Sequence, residues 1–198
     1  MNGPFDAQDD DDDGNTELSE EEREGLIPAY ITRRGELNEA EQANIVEADS
    51  WAFRRKRDVL GVGFLNRLHK RMLGGVWRWA GKYRTTGKNI GVEPWRIGMD
   101  LAALCDEARY WCADGVYPPD EIAARFHHRL VLNHPYPNGN GRHARLAADL
   151  LVTALGQERF TWGRVNLVEP SKTRDEYLAA LRAADDHNIE PLLAFVRS

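Results

Sequence analysis

The stretch His134-Pro-Tyr-Pro-Asn-Gly-Asn-Gly-Arg-His-Ala-Arg145 decides the fold of this 198-residue chain. Before it, Ile122, Phe126 and Leu130 recur on one face of a predicted helix. Two prolines and two glycines then break the periodicity. A second helix is predicted over about 142–155, with Gly156 just beyond its end. The stretch is therefore expected to form a tight loop between two apolar helices.

The glycines of this loop suggest an anion-binding site. Gly139 and Gly141 flank Asn140 directly ahead of the second helix, where backbone N–H groups can point outward at the positive end of the helix dipole. Arg142 and Arg145 lie three residues apart, on one face of that helix, and can offer two guanidinium groups to phosphate oxygens.

A candidate general base lies at the other end of the loop. His134 follows the first helix, and the ordinary pKa of histidine, near 6.5, suits proton abstraction at neutral pH. Each residue alone has a structural alternative, as a helix cap, a turn glycine or an ion-pair partner. Their occurrence together favours group transfer on a nucleotide polyphosphate.

The rest of the chain is predicted to be helical, so the fold class is all-α. Ser19 should cap an acidic first turn, and residues 81–98, with glycines, a proline and β-branched residues, form the one β signal, an irregular loop or short hairpin. The further helices are expected at about 37–57 (capped near Asn38), 61–74, 100–113, 174–184 and 190–197.

The net charge of −6 combines two unlike parts. Residues 1–25 hold 11 acidic residues and one arginine, whereas the other 173 residues carry a net of +4. The Asp9–Asp13 run predicts a disordered tail over 1–15, read as solubilising rather than regulatory, followed by an N-terminal extension with helical pattern over 16–36. The small positive surplus gives no sign of nucleic-acid binding.

The sequence also predicts the compartment. It has no segment apolar and long enough for a membrane span and no signal-peptide pattern, so a cytoplasmic protein that does not bind membranes is expected. Cys105 and Cys112 lie about 10 Å apart along one predicted helix, too far for an unstrained disulfide. Buried thiols in a reducing compartment are expected.

The loop resembles the signature of the Fic family, HPFx[D/E]GNGRxxR, with Tyr136 for the usual Phe and Asn138 for the usual acid. Residues 77–84 (WRWAGKYR) resemble the segment that opens the Fic flap, and residues 174–181 and 191–195 resemble the closing helices. The resemblance covers 37–198 as a Fic domain and implies an all-α Fic-type helical bundle with a short β-hairpin flap. Residues 36–45 and 87–91 are also similar to a bacterial subgroup named mobile mystery protein B.

The resemblance implies a protein adenylyltransferase that moves AMP from ATP to a Ser, Thr or Tyr hydroxyl of a target protein or of itself. His134 would take the hydroxyl proton, Arg142 would hold the β-phosphate side and Arg145 the γ-phosphate. The other residues carried over are the phosphate-binding Gly139, Asn140 and Gly141, the adenine candidates Tyr177 and Asp185, and the target-binding flap residues Thr85, Thr86, Lys88 and Ile90 within a flap of about 82–97.

Two departures from the family pattern change these expectations. Asn138 stands where the family's acid holds Mg²⁺, and an amide oxygen is a weaker ligand, so magnesium-dependent activity should be weakened or directed to another nucleotide. The family's inhibitory motif is incomplete, so inhibition is expected from Glu24, from a separate antitoxin-like partner, or not at all.

Other functions remain open at this point. One is a catalytically weak Fic module that acts as a toxin–antitoxin or binding component. Another is a Doc-like phosphotransferase, although the intact Gly139–Arg142 loop resembles AMP transferases more closely. The target, the modified side chain and the oligomeric state are not readable from the sequence.

Overall fold

The computed structural model describes residues 19–163 and 170–198, and within them the chain is helical with no β-strand. The acidic tail predicted over 1–15 lies outside these residues. The described helices are α1 (Glu20–Arg23), α2 (Arg34–Phe53), α3 (Val62–Leu73), a 3₁₀ turn (Pro94–Arg96), α4 (Ile97–Asp114), α5 (Pro119–Asn133), α6 (Asn140–Ala154), α7 (Pro170–Asp185) and α8 (Glu190–Val196).

The pair α5 and α6, joined by the loop, forms the centre of the fold. Helix α5 also packs against α4 and α8, α6 packs against α3 and α2, and α7 pairs with α8. The buried face of α3 carries Leu65, Leu68 and Met72, each fully enclosed. Burying such a side chain contributes about 1.5–3 kcal/mol. This packing fixes both ends of the loop.

Most predicted helices are confirmed to within a few residues, and Gly156 follows α6 with a φ of 87°. Helix α2 begins four residues before the predicted Asn38. The reason is Glu36, whose carboxylate accepts the N–H groups of Thr32 (2.8 Å) and Arg33 (3.1 Å) and so stabilises an earlier start. Ser19 and Glu22 form the capping box of α1, which is a single turn.

Of the two alternatives predicted for residues 81–98, the irregular loop is confirmed and the short β-hairpin is not formed. The structure places an irregular loop and the 3₁₀ turn there, and the described chain contains one isolated bridge, between Leu26 and Trp77. The backbone carbonyls of Thr86 and Val92 accept hydrogen bonds from the guanidinium of Arg84, whereas in a hairpin they would accept from backbone N–H groups of the opposite limb.

Two arginines fasten the outer parts of the bundle. Arg197, next to the C-terminus, is paired with Asp120 at the start of α5. Arg159 bridges Asp49 of α2 (2.7 Å) and the buried Asp149 of α6 (2.9 Å). None of the helices in residues 19–163 and 170–198 combines the length and apolar character needed to cross a bilayer. Cys105 and Cys112 are free thiols; Cys105 is buried as predicted, whereas Cys112 is half-buried.

Candidate active site

The loop between α5 and α6 depends on two left-handed residues. His134 ends α5 with a φ of 50°, and Gly139 precedes α6 with a φ of 77°. A Cβ at Gly139 would lie 2.5 Å from the Cδ1 of Leu73, so this position requires glycine. Helix α6 starts at Asn140, and its first-turn N–H groups have no partners within the helix. The positive end of α6 therefore borders the loop.

The side chain of Asn140 holds the loop closed. Its Oδ1 accepts the N–H of Tyr136 (2.9 Å), its Nδ2 donates to the carbonyl of the same residue (2.8 Å), and it is buried. Both polar ends of the amide are thus used within the loop. The contribution of Asn140 to a phosphate cradle must therefore come from its backbone N–H group.

Tyr136 replaces the usual phenylalanine for a visible reason. Its hydroxyl donates to the Oδ1 of Asn66 on α3 at 2.9 Å, and its ring stacks on His69 with centroids 3.7 Å apart. The side chain is fully buried. The tyrosine therefore ties the loop to α3 through a hydrogen bond that phenylalanine lacks.

His69 joins the loop to the start of the flap. Its Nδ1 accepts the N–H of Gly81 (2.9 Å), so the ring proton is on Nε2, which donates to the carbonyl of Asn138 (3.0 Å). Burial, together with the positive charge of nearby groups, holds the pKa of His69 well below its usual value. A neutral imidazole in a single tautomer therefore bridges two segments of the site.

His134 is almost fully enclosed, with 4% of its surface exposed. Burial, and then the positive charges of Arg84 and Lys88, lower its pKa from 6.5 to about 4. The imidazole is therefore neutral at pH 7, the form that can accept a proton. The Nε of Arg84 donates to the His134 carbonyl at 2.7 Å and fixes the backbone.

The flap, about residues 82–97, is held against His134 by Arg84. Its guanidinium donates to the carbonyls of Thr86 (2.9 Å) and Val92, which lie on the two limbs of the flap. Gly91, with a φ of 100°, lies so close that a Cβ there would be 2.5 Å from the Cβ of His134. The flap therefore packs directly against the loop between α5 and α6, which is called the catalytic loop below.

The first arginine of the motif has a partner that the sequence did not reveal. Arg142 Nη1 lies 2.8 Å from Glu41 Oε2 of α2, and the indole of Trp77 donates to the other carboxylate oxygen at 2.6 Å. Only 8% of the Glu41 side chain is exposed, against 35% for Arg142. A carboxylate therefore already neutralises part of the charge expected to bind phosphate. In the sequence, the one signal for Glu41 was its position within residues 36–45, the stretch similar to the mobile mystery protein B subgroup.

The second motif arginine lies beside an adenine candidate. Arg145 Cζ is 5.4 Å from the ring centroid of Tyr177, whose hydroxyl lies 3.0 Å from the Nε2 of His127. Asp185 is two helical turns further along α7, and its Oδ1 lies 2.8 Å from the Nε2 of His128. The structure therefore places Tyr177 beside Arg145, whereas Asp185 lies beside His128.

The residues at the expected metal position do not make a protein-built Mg²⁺ site. The Oδ1 of Asn138 accepts the N–H of Gly139, so the one candidate ligand oxygen is turned to the backbone. Residues 19–163 and 170–198 contain no cluster of three His, Cys, Asp or Glu side chains that could hold a metal.

The turn α1 contacts the flap through Glu22. Its carboxylate pairs with Lys88 (2.6 Å) and accepts the hydroxyl of Thr86 (3.2 Å), and the indole of Trp79 donates to its carbonyl (2.9 Å). Glu24, the expected inhibitory residue, is exposed, and its side chain makes no ion pair with Arg145. The acid of α1 that contacts the site is Glu22. The sequence signal for Glu22 was its position three residues after Ser19, which is the spacing of a capping box.

Comparisons with known proteins show what this chain is similar to. A family model described as "Fic/DOC family" matches residues 60–152. Protein adenylyltransferase fic-1 of Caenorhabditis briggsae is 35% identical over 137 residues, 65% of this chain and 25% of that protein. Its Caenorhabditis elegans namesake is 31% identical over 150 residues, 72% and 27% respectively. This chain thus spans about a quarter of the length of these relatives.

Solved structures share the fold. Fic-1 from Caenorhabditis elegans superimposes with a TM-score of 0.60 at 26% identity, covering 88% of this chain and 50% of that one. BepC from Bartonella tribocorum, solved with bound AMPPNP, gives a TM-score of 0.67 at 16% identity, covering 90% and 97%.

Proposed function

Because this chain carries a domain of the Fic/DOC family, we propose that it is a protein adenylyltransferase, which moves AMP from ATP to a Ser, Thr or Tyr hydroxyl of a target protein or of itself. The observation that carries the proposal is a buried, neutral His134 at one end of a short loop whose other end is the positive end of α6, the helix that bears Arg142 and Arg145. Relatives bearing the name protein adenylyltransferase support it.

In this mechanism the target hydroxyl loses its proton to the neutral imidazole of His134 as its oxygen attacks the α-phosphorus of ATP. A bond forms between that oxygen and phosphorus, the bond from the α-phosphorus to the bridging oxygen breaks, and pyrophosphate leaves. First-turn N–H groups of α6 and the two arginines stabilise the charge that builds on the phosphate oxygens. Arg142 must share its charge with Glu41.

The proposal assigns the nucleotide base and the target to different residues. Tyr177 next to Arg145 is the adenine candidate, and the BepC structure with bound AMPPNP supports nucleotide binding by this fold in general. The exposed Thr85 and Ile90 offer a docking edge on the flap. Thr86 and Lys88 are engaged by Glu22 in this structure and must exchange partners to contact a target.

The labelled position of ATP separates the functional alternatives. Incubation with α-labelled and γ-labelled ATP should transfer the α label with wild type and not with His134→Ala. Transfer of the γ label instead would indicate a Doc-like phosphotransferase. Absence of both labels would indicate a binding module, which the Glu41–Arg142 pair and Asn138 would favour. The cytoplasmic location, an antitoxin-like partner and oligomerisation stay predictions.

Asn138→Asp tests the metal position. An acid there supplies the charged oxygen that Mg²⁺ prefers, so AMP transfer should rise roughly tenfold and become steeply dependent on Mg²⁺. Titration of Mg²⁺ at fixed ATP, compared between the variant and wild type, measures this. Unchanged transfer at every Mg²⁺ concentration would show that Asn138 does not limit the reaction.

A further inference from the structure

A basic cavity of about 500 Å³ lies between the end of α2 and the start of α3, away from the loop that carries the chemistry. Its lining includes four cationic side chains and one acid, Asp58, which is paired with Arg109 of α4. Helix α3 separates the cavity from the active site, because its first turn borders the cavity and Leu73, at its other end, contacts Gly139. At 1.5 Å per residue that distance is about 16 Å.

The cations of this cavity lack counterions in the described chain. No ion pair within residues 19–163 and 170–198 neutralises any of the four, which are Arg55, Lys56, Arg57 and Arg67. Like charges held this close repel one another, and a bound anion would remove the repulsion. The cluster therefore favours an anionic occupant.

Contacts with Trp51 fix the side chain of Arg57 in position before any anion binds. Its guanidinium lies 4.2 Å from the ring centroid of Trp51, and its Nη2 donates to the carbonyl of that residue at 2.9 Å. Its Nε is buried with no acceptor among the described residues. Partial desolvation and three neighbouring arginines lower its pKa, a further sign that positive charge is crowded here.

The volume of the cavity suits a small ligand. Its volume falls within the range of small-molecule sites, and Phe64 contributes an apolar wall. Gly63 keeps one side open, since a Cβ there would meet no atom within 4 Å. Guanidinium groups match phosphate oxygens with paired hydrogen bonds, and several phosphate charges are needed to offset three arginines and a lysine.

We propose that this cavity is a second anion site, which binds a small polyphosphate-bearing molecule through Arg55, Arg57 and Arg67. The site is separate from the catalytic loop and does not depend on the proposed transferase activity. The anion sits between the guanidinium groups, with the first turn of α3 beneath it.

Sodium tripolyphosphate is the probe, and isothermal titration calorimetry measures its binding to the full chain. The catalytic phosphate site is silenced first by Arg142→Ala/Arg145→Ala. One equivalent should still bind in this background, and Arg55→Ala/Arg67→Ala added to it should weaken binding at least about tenfold. Arg54→Ala, a neighbouring charge outside the lining, is the matched control and should change binding less than about twofold.

A second variant guards against misfolding. Gly63→Glu places a carboxylate in open space within the first turn of α3, where an acid favours the helix, so binding should be lost with the melting temperature kept or raised. No saturable binding in the silenced background would overturn the proposal. So would equal weakening by Arg54→Ala, or tighter binding of a 20-nucleotide single strand than of tripolyphosphate, which would indicate a polynucleotide surface instead.

Discussion

At the scale of single residues, the flap meets His134 through a glycine that has no room to change. Gly91 combines a φ of 100° with a projected Cβ contact of 2.5 Å to His134. Gly87 lies in the same flap with open space around it. A methyl group should therefore clash with His134 at position 91 and meet no atom at position 87.

Gly91→Ala should reduce AMP transfer at least about tenfold, because the methyl group displaces either His134 or the flap, and the positive φ adds about 1–2 kcal/mol of strain. Gly87→Ala should leave transfer within about twofold. Single-turnover transfer at saturating ATP measures both. Equal activity of the two variants would show that the contact at position 91 does not position the histidine.

Glu41 is the second single-residue test. Glu41→Gln keeps an oxygen for the indole of Trp77 and removes the charge that opposes phosphate binding at Arg142. The affinity for ATP should rise roughly threefold to tenfold, as expected for an arginine freed of its counterion. The dissociation constant of a non-hydrolysable ATP analogue, measured by calorimetry, checks this. An unchanged or weaker affinity would mean that Glu41 instead holds Arg142 in its binding position.

At the scale of elements, the turn α1 acts on the flap. Burial alone would raise the pKa of Glu22, but the hydrogen bond and charge of Lys88, helped by Ser19 and Thr86, leave it lowered. The carboxylate therefore stays charged, and the contact stays intact, throughout the neutral pH range. An element of one turn thus restrains the segment proposed to receive the target.

Glu22→Gln should loosen the flap. The change leaves Lys88 partly buried beside a neutral amide, so backbone amides of residues 85–90 should exchange hydrogen faster, by roughly fivefold to tenfold. Hydrogen exchange followed by mass spectrometry measures this, and protein labelling should increase in parallel. Glu24→Gln, in the same turn but exposed, is the control. If Glu24→Gln alone raises self-labelling, the inhibitory role expected for Glu24 is supported and that of Glu22 is rejected.

The same contacts show what sequence reasoning could reach. Helices α3 to α6 and the glycine loop were predictable because periodicity and turn residues are local signals. The flap was predicted as an irregular loop or a short hairpin, and the irregular loop forms because Arg84 binds carbonyls that a ladder would need. Glu22 and Glu41 reach the site from segments distant in the chain, so the local patterns in which they lie do not predict their contacts with Lys88 and Arg142.

At the scale of the whole molecule, four histidines near the centre of the fold share one property. His127 has a pKa lowered by burial to about 3, and those of His134 and His143 are lowered to about 4. The pKa of His69 is also well below its usual value. All four are neutral in the folded protein at pH 7 and would take up protons at pH 5 only on unfolding.

The protein should therefore lose stability in mild acid. Each histidine has a folded pKa below its unfolded value of 6.5, so its contribution to the free energy of unfolding is complete above pH 6.5. This contribution is lost as the pH falls towards the folded pKa, at about 1 kcal/mol per pH unit for each histidine. Urea unfolding at pH 7.5, 6.0 and 5.0 measures the slope. His143→Gln should flatten it, and a free energy of unfolding that stays constant over this range would contradict the assignment of neutral histidines. Transfer by the surviving folded protein should persist below pH 6, since His134 remains neutral.

The bridge made by His69 gives this molecule a built-in spectroscopic reporter. One enclosed N–H proton, on a ring of fixed tautomer, connects the carbonyl of Asn138 to an imidazole that also holds Gly81. Such a proton is shielded from solvent and should give a sharp downfield resonance in water. Its line width then follows, without any label, whether the flap and the glycine loop separate when nucleotide or target arrives.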